Sequence, residues 1–158
     1  MSDQKFPAVW VTFLRALVLT LGLLHQARAD GVQSGGASAD GVAAYYVVLH
    51  AGKIGANGND ELSRQEPVPN DPLAHHLMVV LFDAANLQRI EAQRVIATIS
   101  KSLEPAERRE LTPHTMGGFK MYGNYFTLKT RHRYHVHMDV ELPGSEKVAK
   151  LDFEFMLE

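Results

Sequence analysis

YHVHMDVEL, residues 134–142, alternates apolar and polar side chains without a break. Tyr134, Val136, Met138, Val140 and Leu142 fall on one side, and His135, His137, Asp139 and Glu141 on the other. A period of two is the geometry of a β-strand with one buried and one wet face. After PGSEK, which supplies a turn, residues 150–157 (KLDFEFML) alternate again, with Leu151, Phe153, Phe155 and Leu157 inward. Working back from this pair, residues 94–100 (RVIATIS) and 43–50 (AAYYVVLH) have the β-branched and aromatic density of strands. Residues 75–83 (HHLMVVLFD) are apolar without alternation, as expected of a strand covered on both faces. Residues 52–72 hold Pro67, Pro69 and Pro72, which fix φ and remove donors, and so predict a long loop. A helix of about two turns is compatible with residues 104–111, limited by Pro105 and Pro113. Gly123-Asn124 predicts a turn or bulge. Short strands, little helix and Pro/Gly-rich connections specify an all-β fold, an Ig-like antiparallel β-sandwich over residues 43–158.

The N-terminal part reads as an address. A weakly basic start at Lys5 precedes an apolar run ending in ALVLTLGLL (residues 16–24), followed by Ala27-Arg28-Ala29. This is the layout of a cleavable signal peptide over residues 1–29. A retained membrane anchor is the competing reading, but it would place Arg15 near mid-bilayer, at roughly 2.5–3.5 kcal/mol on insertion scales. The segment therefore predicts a periplasmic product without stable membrane insertion after cleavage. Residues 30–42 (DGVQSGGASADGV) carry no apolar periodicity and read as a flexible leader.

Composition narrows the function classes. The chain has 158 residues and a formal net charge of −2, which gives no electrostatic footprint for a nucleic-acid partner. It contains no cysteine, which excludes disulfides, thiolate metal sites and Cys nucleophiles. No G-x-S-x-G, H-E-x-x-H or Gly-rich phosphate loop occurs, so the sequence predicts a protein that is not an enzyme.

Histidine and methionine remain as the chemistry-bearing residues. His135 and His137 are two apart on one strand, so both imidazoles point the same way and can converge on one metal. They also continue the solvent row of Asp139 and Glu141, which is the plainer account of them. His114, Met116 and Met121 lie close together in sequence, and thioether sulfur with imidazole suits copper in a cysteine-free chain. Methionines also serve as adaptable core fillers. His75 and His76, being adjacent, must point to opposite faces, so one site can recruit only one of them.

The order of HHLMVVLFD, RIEAQRVIATIS, LTPHTMGGFKMYGNYF and YHVHMDVELPG resembles the YtkA-like and FixH-like periplasmic domains over roughly residues 45–155. The resemblance implies a β-sandwich with a Met-containing loop, associated with handling of copper or other transition metals outside the cytoplasm. The expectation is then a copper-binding accessory protein with His114, Met116, Met121, His135 and His137 as ligands. A membrane transporter or oxidase would be its partner. The alternative is a metal-free Ig-like domain that binds another envelope protein through its loops or sheet edge.

Overall fold

A computed structural model describes residues 32–54, 61–102 and 104–158. The expected signal peptide, residues 1–29, lies outside the described residues. Among the described residues no helix is long and apolar enough to cross a membrane.

The strands are β1 (Val32–Ala39), β2 (Val42–His50), β3 (Ala74–Asp83), β4 (Arg94–Ser100), β5 (Glu107–Glu110), β6 (Thr112–Met116), β7 (Phe119–Thr127), β8 (His132–Glu141) and β9 (Val148–Leu157). They form an antiparallel β-sandwich, one sheet ordered β1-β2-β3-β7-β6 and the other β5-β4-β8-β9. The alternation of residues 134–142 appears as expected: Tyr134, Val136, Met138 and Val140 are buried, and the intervening side chains are not. Strand β9 repeats the pattern and pairs Val136 with Phe153 and Met138 with Leu151. From the first sheet Val42, Ala44, Tyr46, Val48, Leu77, Val79 and Leu81 meet these residues in a single core. Each fully buried aliphatic or Phe side chain contributes about 1.5–3 kcal/mol relative to exposure, which is how a domain without disulfides holds together.

Three local expectations are corrected. Residues 32–39, within the stretch read as a flexible leader, form β1, fully paired with β2. The register explains this: Gly35 lies opposite Tyr46 and Gly36 opposite Tyr45. A Cβ on Gly35 would come within 2.6 Å of the Tyr46 hydroxyl, so the small residues accommodate aromatic rings that supply the missing packing. The two-turn helix expected at residues 104–111 is absent; Glu107–Glu110 is strand β5 on the edge of β4. A helix so short has little stability of its own, whereas an open strand edge offers a ladder of backbone partners. Gly123 and Asn124 do not turn the chain but lie inside β7.

Strand β3 is covered on both faces, as its unbroken apolar run implies. Leu77, Val79 and Leu81 face the sandwich core. Ala74 and Met78 face outward into a second, smaller cluster with Ala51, Ile54, Leu62 and Tyr125. The long loop between β2 and β3 builds this cover through a 3-10 turn at Ala51–Lys53 and a short helix α1 (Glu61–Gln65).

Candidate metal centre

Strand alternation sends His75 and His76 to opposite sides of β3. The His75 Nδ1 donates to the Leu73 carbonyl at 2.9 Å, and its ring meets that of His50 edge-on, centroids 5.0 Å apart. Burial pushes this imidazole below the ordinary histidine range, with the neighbouring His50 acting in the same direction. His76 turns to the outer face and is completely buried there. Its ring crosses β7 at Gly123, where a Cβ would overlap its Cε1 and lie 3.1 Å from its Nε2. Gly123 is therefore a slot for the imidazole, which is why a glycine sits mid-strand.

On the far side of β7, β6 contributes His114, also buried, with the two imidazole centroids 5.9 Å apart. Glu66, immediately after α1, closes the gap. Its Oε2 lies 3.2 Å from His76 Nε2 and 3.0 Å from His114 Nε2. All three ligand atoms lie within 4.8 Å of one another. His114 Nε2 is off the line of a hydrogen bond to that oxygen and, among the described residues, has no hydrogen-bonding partner. Metal bonds of ~2.0–2.2 Å at square or tetrahedral angles place neighbouring ligand atoms roughly 2.8–3.6 Å apart. The two Glu66 separations fall in that range, and a buried nitrogen short of a partner is what a cation would satisfy. Two imidazoles and a carboxylate thus fit a borderline divalent ion.

The segment carrying Glu66 is held on β6 by its own side chains. Gln65 donates to the Thr115 carbonyl at 2.7 Å and accepts from the Thr115 amide at 3.0 Å. Glu61 accepts from the Gly117 amide at 3.0 Å.

The five residues singled out from sequence divide between two sheets. His114 joins the cluster with Glu66 and His76, while Met116 and Met121 pack against the outer apolar cluster. In the β6–β7 ladder His114 faces Met121. His135 and His137 lie on the outer face of the other sheet, each opposite an acidic residue of β9. His135 Nδ1 is 2.8 Å from Glu154 Oε1, and His137 Nδ1 is 2.8 Å from Asp152 Oδ1. His137 Nε2 adds a contact of 3.2 Å with Asp139. Among the described residues this pair belongs to no group of three potential His or carboxylate ligands. Each ring pairs with its own carboxylate of β9, on the sheet that does not carry His76 and His114.

His76 and Glu66 carry the site without having been singled out. The adjacent histidines opening a strand covered on both faces were its one sequence signal. Glu66 sits in a loop without periodicity and offered none.

The Asp152 hydrogen bond raises the His137 pKa, with further help from Asp139. A raised folded-state pKa means that the stabilisation is complete below the unfolded value of about 6.5 and is lost as pH rises through the folded value. His137→Ala should therefore lower the thermal midpoint at pH 5.5 and leave it nearly unchanged at pH 9. Equal shifts in thermal melts at both pH values would show that the ion pairing contributes nothing.

No protein-family profile matches the chain, and no curated protein matches it by sequence. Solved structures do match in fold. A DUF4426-family protein from Pseudomonas aeruginosa aligns at a TM-score of 0.59 and 14% identity, covering 81% of this chain and 97% of that one. A copper-bound variant of FetP from uropathogenic Escherichia coli aligns at 0.57 and 13%, covering 78% and 95%. The same FetP, as isolated after recombinant expression in the periplasm, aligns at 0.52 and 12%, covering 79% and 96%. These likenesses concern the β-sandwich.

Proposed function

We propose that this chain is an exported metal-binding protein that takes up copper(II) at Glu66, His76 and His114. The convergence of one carboxylate oxygen and two buried imidazoles within 4.8 Å carries this reading. The copper-bound FetP of similar fold adds support for the choice of metal. On the general affinity order copper(II) binds such nitrogen and oxygen donors more tightly than zinc. Three protein ligands leave a position through which an ion can be passed on. The role is thus uptake and transfer by ligand exchange, not turnover, with a membrane transporter or oxidase as the recipient. Met121, the cross-strand partner of His114, and Met116, two residues along β6, offer soft sulfur for copper(I) on the same sheet.

Calorimetric titration with Cu(II) and Zn(II) tests the assignment. The His76→Gln/His114→Gln variant should lose Cu(II) binding while keeping its fold by circular dichroism. His135→Ala/His137→Ala should retain it, because those rings lie on the other sheet. A wild-type protein showing no binding tighter than ~1 mM, about −4.1 kcal/mol, would overturn the proposal and favour a metal-free interaction domain.

A further inference from the structure

Two of the three proposed ligands stand on paired strands, but the third does not. His76 lies on β3 and His114 on β6, both tied to β7 by antiparallel ladders. Glu66 follows a helix of only five residues. So short a helix is not stable in isolation and takes its order from what it docks against. Its docking surface is specific. Strand β6 ends its sheet, bonded on one side to β7 and open on the other.

Along that open side the polar side chains of residues 61–66 act as a substitute strand. Gln65 occupies both backbone groups of Thr115, as a paired strand residue would. Glu61 takes the Gly117 amide, and Glu66 reaches His114 on the same strand. Leu62, buried in the outer cluster, adds an apolar anchor.

Resting on the metal reading above, we infer that residues 61–66 form a strap whose docking on the β6 edge is coupled to cation binding. The ion closes the strap, and the strap's release opens the site for exchange. The coupling follows from ligand count. With the strap docked the ion has Glu66 and both histidines, and with the strap released it keeps only the histidines. A cation that binds one state better must shift the population toward it, and anything that loosens that state must weaken the cation in return. Gln65 is then a positioning residue: it touches no ion, yet it sets the fraction of molecules in which Glu66 is in place.

Hydrogen-exchange mass spectrometry over residues 112–118, combined with Cu(II) calorimetry, tests the coupling. Saturating Cu(II) should slow exchange at the Thr115 and Gly117 amides in the wild type. Gln65→Ala should raise exchange in the copper-free protein and weaken Cu(II) about tenfold, the scale set by one or two lost hydrogen bonds and the lowered docked fraction. Glu66→Gln should bind more weakly and lose most of the copper-dependent slowing. Tight Cu(II) binding with unchanged exchange at both amides would overturn the strap, as would a Gln65→Ala variant of wild-type affinity. Absence of Cu(II) binding in the calorimeter is a different failure, which removes the metal reading and the strap together.

Discussion

Gly123→Ala is expected to abolish copper binding and to destabilise the fold at the same time. The added Cβ would overlap His76 Cε1 and come within 3.0 Å of the Leu77 carbonyl oxygen, so neither neighbour can ignore it. The imidazole is completely buried and cannot swing into solvent without opening the outer cluster. Overpacking of this kind costs typically 1–3 kcal/mol. Displacing His76 Nε2 from Glu66 also leaves the proposed site with one histidine and a carboxylate. The affinity loss should therefore exceed about a hundredfold, or roughly 2.7 kcal/mol. A double-mutant cycle separates the two effects. Replacing His76 by alanine as well should recover the part of the lost stability due to the ring, leaving the Leu77 carbonyl contact, but should recover no binding. Thermal melts and Cu(II) titration of the four proteins are the measurements. A Gly123→Ala protein with wild-type affinity would show that His76 is not a ligand.

Val136→Asp is the substitution expected to cost the fold most. Val136 is 1% exposed and lies in the core shared by both sheets. An aspartate there buries a carboxylate without a partner, a mechanism that reaches about 4 kcal/mol or more. That is a large part of the 5–15 kcal/mol that holds a typical domain together. Asp139→Val, three residues along on the outer face, should change stability by less than about 1 kcal/mol, since it removes only partly exposed pairs. The pairs in question are with Arg108 at 3.7 Å and His137 at 3.2 Å. Equal chemical-denaturation midpoints for the two variants would contradict the register of β8.

These two substitutions mark different depths of inference. The faces of β8 and β9 were legible in the sequence because a period of two needs only one strand to be read. Burial on both faces of β3 was legible for a related reason: an unbroken apolar run can be satisfied only between two layers. His114 was visible as a histidine among methionines, and the structure sets it in the buried cluster with Met121 as its cross-strand neighbour. His114 lies on one sheet and His135 and His137 on the other, a separation the sequence does not record, because strand spacing says which side chains share a face and nothing about which sheet holds that face.

What the sequence determined by itself is the local alternation that makes this chain an all-β sandwich, together with the cysteine-free, His- and Met-bearing chemistry available to it. Tertiary structure alone decided which of those residues meet. β6 and β3 are separated by β7, and this order brings His114 and His76 together across it, with Gly123 leaving room for the His76 ring. Glu66 reaches them because an irregular loop folds back over the sheet, along a path that no periodicity records. The glycines teach the same lesson. Gly35, Gly36 and Gly123 read as punctuation along the chain, yet each lies within a strand. Gly35 and Gly36 accommodate tyrosine rings, and Gly123 accommodates an imidazole. The physical reason is that a missing side chain has no local signature: what it makes room for comes from another strand, and pairing sets which one.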